Sequence, residues 1–206
     1  MPASFPETAI STERLLLRPL AGGDVPGLVA MMDDELVHAW TDVVQPFTEE
    51  HAREWTRMLA PARRIEGRGI VFAVTEHLTQ RMVGVVELRS TDWRLLSTEV
   101  VFVTASWARG EGYAPEAVNG VAQWLFEDRG FLRLELRTAA GNTAAQQVAQ
   151  KLGCISEGVL RSAWIVRGGE GDGTAEESRS DLILWSLLPE DMEPLAPREA
   201  DHAGQR

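Results

Sequence analysis

The sequence predicts a single α/β domain whose core is a mixed, mostly antiparallel twisted sheet flanked by helices. Three observations predict it. The apolar pattern switches along the chain between the 3.6-residue period of helices and the two-residue alternation of strands. Three branched apolar runs, 69–76, 82–90 and 97–104, follow one another across short turns, the pattern of a meander. A glycine-rich turn, Arg109-Gly110-Glu111-Gly112, then leads into a helical stretch, and strand, helix, strand and strand complete the order. At 206 residues the chain has the size of one domain with short extensions, since domains run to about 100–200 residues. The domain is expected over 1–192, with 193–206 as a flexible C-terminal tail.

Taken in order, residues 13–20 read as a strand ending at Pro19. Asp24 caps a helix with Pro26 in its first turn and Leu28, Val29, Met31 and Met32 as apolar positions. A looser stretch with Trp40 and Pro46 leads to Thr48, the expected cap of a helix over 48–64. Glu49 and Glu50 of that helix stand near the positive end of its dipole. After the meander, 115–130 is predicted helical, with Ala114, Ala117, Val118, Val121 and Leu125 on one stripe and Pro115 suited to a first turn. Residues 131–138 read as a strand. A helix over 142–153 has Asn142 as N-cap and Gly153 just past its end. Strands over 154–167 and 179–188 enclose the acidic, glycine-rich stretch 168–178, which reads as a solvated loop. From Pro189 the chain is polar and proline-rich.

Composition narrows the function. The formal charge is -11, unsuited to nucleic acid, which needs a basic face against its phosphates, and better suited to neutral or cationic partners. One cysteine, Cys154, excludes an internal disulfide and a cysteine-based metal cluster. His38, His51, His77 and His202 lack metal-ligand spacing, so no metal is expected. The N-terminus shows no basic-then-apolar leader, and no apolar run approaches the ~18 residues of a membrane span. A cytoplasmic location without a membrane partner is expected. The sequence leaves a homodimer open.

The turn itself suggests an anion. Successive N–H groups from Gly110 to Ala114, at the start of a helix, form a concavity with free donors and a favourable dipole. An ATP-binding P-loop would require a Gly-Lys-Ser/Thr ending, which the chain lacks. A dinucleotide fingerprint would need glycine where Pro115 stands. Arg109-Gly110-Glu111-Gly112-Tyr113-Ala114 instead resembles the Arg/Gln-x-x-Gly-x-Gly/Ala pattern of the GNAT N-acetyltransferases. Asn142, with Lys151-Leu152-Gly153, resembles that family's Asn-x-x-Ser…Lys-Leu-Gly-Phe helix. Glu13-Arg14-Leu15-Leu16-Leu17-Arg18 at the start, and Glu157 to Arg161, Asp181-Leu182 and Leu187-Leu188 near the end, are similar to the branch that acetylates ribosomal-protein N-termini. The resemblance spans roughly residues 10 to 192.

The resemblance implies a GNAT fold and transfer of acetyl from acetyl-CoA to a primary amine, whether a protein α-amino terminus or a small amine. It implies that Arg109, Gly110, Glu111, Gly112, Tyr113 and Ala114 hold the CoA pyrophosphate. The main chain of Val101, Phe102 and Val103 would pair with the pantetheine arm, aided by Asn142. Glu99 is the expected general base, on the face shared with Val101 and Val103, and Glu87 is the reserve. Glu99 has a plainer reading as a half-exposed strand residue in an ion pair, and Asn142 as a helix cap. Trp40 and Trp55 are expected on the acceptor groove. With Asp33, Asp34 and Glu35, the acidic loop at 168–178 would favour a cationic acceptor. Two departures stand out: the family's Ser is Ala145 and its Phe is Cys154. The only tyrosine, Tyr113, lies in the turn, so the usual tyrosine acid is missing. These losses keep open a CoA-responsive binding protein without efficient turnover.

Overall fold

The computed structural model describes residues 3–167 and 177–192. Ile10–Ser11 (β1) and Leu15–Arg18 (β2) pair antiparallel about Thr12, whose hydroxyl accepts the Leu15 amide at 3.1 Å. Asp24 does not cap the next helix, Val25–Met32 (α1), through its side chain. Its carboxylate is buried, receives both terminal nitrogens of Arg18 at 2.8 Å and accepts the Ala21 amide at 2.7 Å. A buried carboxylate needs such partners more than a helix end needs a cap.

A short helix, Glu35–Trp40 (α2), occupies the stretch expected to be loose. Six residues are too few for periodicity to register, but its cap was visible: Asp34 Oδ1 accepts the Leu36 and Val37 amides. The expected 48–64 helix is Glu49–Glu54 (α3) and Ala60–Ile65 (α4), joined by a π-helical turn at Trp55–Leu59 and capped by Thr48 as read. Pro61 cannot donate to Arg57, and the turn ahead of it widens.

Ile70–Glu76 (β3), Met82–Asp92 (β4) and Ser97–Thr104 (β5) form the meander. Tyr113–Gln123 (α5) begins two residues earlier than expected, and runs on through a π turn at Trp124–Asp128. Arg133–Ala139 (β6), Thr143–Lys151 (α6), Ile155–Arg167 (β7) and Glu177–Leu187 (β8) follow. Asn142 caps α6 through its side chain, and the Gly153 and Cys154 amides close the other end on Gln150 and Ala149. The readings placed on 168–176 and 193–206 fall outside the described residues.

The strand order is β1-β2-β3-β4-β5-β6-β8-β7. All pairings are antiparallel except β5–β6, as a mixed, mostly antiparallel sheet requires. One face carries Phe72, Val86 and Phe102 in register, with Phe72 edge-on to Trp124 beyond α5. The other carries Val71, Glu87 and Val101 beneath α4, whose Arg63 pairs with Glu87. No described helix is long and apolar enough to cross a membrane.

Candidate active site

β5 and β6 pair over three rungs only, Ser97 with Arg133, Thr98 with Leu134 and Glu99 with Glu135. β5 continues to Thr104 and β6 to Ala139, so past Glu99 the two strands part. The edge of β5 facing β6 is left without a ladder partner from Val100 onward. A cleft of about 500 Å³ opens there. The main chain of Val101, Phe102 and Val103 forms one wall, with α2, α6 and β7 completing the enclosure.

The glycine turn stands at the mouth of this cleft. Gly110 has φ +84° and Gly112 φ +79°, the left-handed region that side-chain-bearing residues rarely occupy. The Gly110, Glu111 and Gly112 amides donate to no acceptor among the described residues. Gly112 stands at the N-cap of α5, so those donors and the helix dipole face the same space. A Cβ on Gly110 would meet no atom within 4 Å.

Arg14 braces the turn from behind. Its Nη1 donates to the Glu111 carbonyl at 3.0 Å, its guanidinium lies 4.7 Å from the Tyr113 ring centroid, and its Nε donates to Glu116 at 2.6 Å. Glu116 also accepts the Thr12 hydroxyl and the Arg14 amide. Burial opposes its ionisation, yet these donors outweigh it and hold the carboxyl below its ordinary range. The Arg109 guanidinium turns to Asp34, at 2.5 and 3.2 Å. There too burial works against the charge, and Arg109 with the α2 amides holds Asp34 below its ordinary range. Asp34 thus ties the turn to α2 and is not free to meet an acceptor.

Glu99 sits at the apex of the splay, 5% exposed, its Oε1 accepting Arg89 Nη2 at 2.9 Å. Glu135, its neighbour across the last rung, accepts Arg133 at 2.9 Å and has Arg137 3.6 Å away. Trp40 reaches over the cleft and packs on Gly141, where a Cβ would come within 2.9 Å of its ring. The cleft therefore brings together Glu99, Val101, Phe102, Val103, Arg109, Gly110, Gly112, Tyr113, Ala114, Asn142 and Trp40. It does not bring in Glu87, which is held by Arg63, Trp55, which packs edge-on against Phe47, or the exposed side chain of Glu111. Asn142 lines the cleft while also capping α6.

Neither Tyr113 nor Cys154 stands in for the missing tyrosine. The Tyr113 hydroxyl donates to Glu76 at 2.6 Å, and that bond, with some burial, raises its pKa. Burial pushes the Cys154 thiol up to about 12, which makes it a poor nucleophile. Among the described residues no cluster of three His, Cys, Asp or Glu is arranged to hold a metal ion. Sequence reasoning missed Arg89, Arg137 and Trp164, all of which line the cleft. The repeated Glu-Leu-Arg of β4 and β6 was a signal for the first two. Trp164 had none, because a register shift in β7 between Leu160 and Trp164 sets its direction.

An acetyltransferase (GNAT) domain family matches residues 14–155. An uncharacterised N-acetyltransferase, p20 of Bacillus licheniformis, is 26% identical over 178 residues, covering 86% of this chain and 94% of its own. The structure is similar to that of Mycobacterium smegmatis RimJ in complex with CoA-disulfide, with a TM-score of 0.73 at 20% identity over 92% of this chain and 91% of RimJ. It is also similar to RimL, a ribosomal L7/L12 α-N-protein acetyltransferase in complex with coenzyme A. There the TM-score is 0.76 at 14% identity over 88% and 98% of the two chains. Structural likeness at such low identity speaks for the fold.

Proposed function

The chain belongs to the GNAT acetyltransferase family, and from that premise we propose that it moves the acetyl group of acetyl-CoA to a primary amine by direct attack in a ternary complex. The acceptor is a protein α-amino terminus or a small amine, and the setting is cytoplasmic. The observation that carries the reading is the joining of two features in one cleft: a strand edge left unpaired by the β5–β6 splay and a turn of free amides at the N-terminus of α5. The turn suits a diphosphate, and the unpaired edge suits an extended arm bearing amides.

In this reading the Gly110 to Ala114 amides hold the pyrophosphate, and one N–H of Val101–Val103 polarises the thioester carbonyl. The amine nitrogen bonds to that carbon as the C–S bond breaks. Beforehand the acceptor ammonium gives one proton to Glu99, directly or through water; on attack the nitrogen sheds a second proton to water, and the leaving sulfur takes one from water. A thiol of pKa near 8.5 leaves tolerably without a side-chain acid. Glu99 is preferred to Glu87 because it alone of the two lines the cleft. RimL acts on a protein N-terminus by its description, which supports that acceptor class.

Ala145 and the engaged Tyr113 hydroxyl favour one second reading, a CoA-responsive binding protein without efficient turnover. Calorimetric titration with acetyl-CoA, with NADH and ATP as controls, is expected to give micromolar binding to acetyl-CoA alone. Thiol release across peptide and small-amine panels then separates the readings: affinity with no transfer to any acceptor would favour the binding protein. Arg14→Ala is expected to raise the Kd for acetyl-CoA about threefold to tenfold by loosening the turn, with Arg14→Lys in between. An unchanged Kd in both variants would remove Arg14 from the binding apparatus.

A further inference from the structure

Four cationic side chains line the cleft of a chain whose formal charge is -11. Arg109 is occupied by Asp34 and Arg89 by Glu99. Lys151 stands at the end of α6, which packs with α5. Arg137 differs from the two paired arginines, and unlike the exposed Lys151 it stands on the sheet beside Glu99. It lies on the sheet face that carries Glu99 and Glu135, two residues beyond the last β5–β6 rung and across the gap from Val101. Its only carboxylate among the described residues is Glu135 at 3.6 Å, too far for a hydrogen bond, and Glu135 already accepts Arg133. The side chain is 43% exposed, and no group among the described residues matches its planar fork of five donors.

A second unmatched donor lines the same cleft. The Trp164 indole N–H is buried and finds no acceptor among the described residues. A buried donor left unpaired costs about 1–3 kcal/mol, so an acceptor arriving with the substrate would relieve it. The carboxylates on the lining are Glu99 and the exposed Asp42, both suited to an ammonium group. The cleft therefore offers anions for an amine and, separately, unmatched donors for an acid.

We infer that the acceptor amine carries an anionic group, a carboxylate or a phosphate, and that Arg137 is the specificity-determining residue that reads it. The inference rests on the acetyl-transfer reading, since it takes this cleft as the acceptor site. It also runs against the neutral or cationic partner expected from overall charge.

Matched amines test it, with the full chain, saturating acetyl-CoA and thiol release as readout. The pairs are alanine against alaninamide, phosphoethanolamine against ethanolamine, and Ser-Asp-amide against Ser-Asn-amide. They separate a free carboxylate, a phosphate and an acidic peptide end. In at least one pair the anionic member is expected to have about tenfold or greater kcat/KM, the factor one charge-assisted contact supplies. Arg137→Ala is expected to abolish that preference through KM, with kcat, the melting temperature and the KM for acetyl-CoA little changed, and Arg137→Lys to restore part of it. Equal use of both members of every pair by the parent would overturn the inference. So would an Arg137→Ala variant that loses both members equally, or that raises the KM for acetyl-CoA instead. If no amine is acetylated, calorimetry of the same pairs on CoA-saturated protein decides. Anion-selective binding lost in Arg137→Ala supports the inference while acetyl transfer fails, and binding without anion selectivity overturns it.

Discussion

Gly112→Val is expected to raise the Kd for acetyl-CoA about tenfold to a hundredfold while the melting temperature falls by only a few degrees. The added side chain has room: a Cβ at Gly112 would come no nearer than 3.5 Å to Arg14 Nη2. The difficulty is the backbone. At φ +79° a β-branched residue is strained by about 1–3 kcal/mol. The chain relieves that strain by rotating the peptides on either side of residue 112, and those peptides carry the donors of the turn. Losing one or two hydrogen bonds to a charged phosphate costs about 1.5–3 kcal/mol each, and each 1.4 kcal/mol is tenfold in affinity. Stability is touched far less, because the strain is local and a domain of this size shifts by roughly 2–4 °C per kcal/mol. Gly112→Ala, strained but unbranched, belongs between parent and valine variant. Parent-like affinity in the valine variant would sink the assignment of this turn to phosphate.

That turn was legible because its requirement is local. Gly110 and Gly112 answer a backbone conformation, and the strand before and helix after them are long enough for periodicity to register. The meander was legible for the same reason, and 97–104 matches β5 residue for residue. What failed was short or depended on distant partners. α2 is six residues long, and β1 is two. Asp24 looks like a cap in sequence, but Arg18 lies within reach in space and takes the carboxylate instead. The π turn ahead of Pro61 is a helix accommodating a residue that sequence reading treats only as a breaker.

The site was legible along each strand and illegible across them. Two-residue alternation put Glu99, Val101 and Val103 on one face, and the β4–β5 register puts Glu87 there as well. It could not tell that α4 covers Glu87 with Arg63 while the splay leaves Glu99 at the apex of the cleft. Nor could it tell that Arg109 and Asp34, 75 positions apart, would meet. Such pairs are fixed by the packing of helices on the sheet, which no local pattern encodes. Arg137 shows the limit from the other side: its strand and face were predictable, and its lack of a partner was not.

Glu99→Gln is expected to lower kcat about a hundredfold at neutral pH and leave the KM for acetyl-CoA near the parent value. Positioned general bases contribute roughly 10²–10⁴. The substitution keeps size and shape, and the glutamine oxygen still accepts the Arg89 N–H now 2.9 Å from Oε1. Proton acceptance is what it removes. The sign of the pH effect follows from the nucleophile, since only a neutral amine attacks. With Glu99 as the proposed base, the parent is expected to strip the proton from a bound ammonium and so to keep turning over below the pKa of the amine. In the variant only amine already neutral in solution reacts, and its rate climbs about tenfold per pH unit until the amine titrates, near 8 for an α-amino group. The deficit is therefore largest at low pH and shrinks above about pH 8. A structural Glu99 predicts something else: a deficit constant with pH, a lowered melting temperature, and the same kinetic loss when Arg89, its ion-pair partner, is replaced by methionine. Parallel pH profiles would return Glu99 to the row of charge pairs formed with Arg89, Glu135 and Arg133, and would leave water as the proton acceptor.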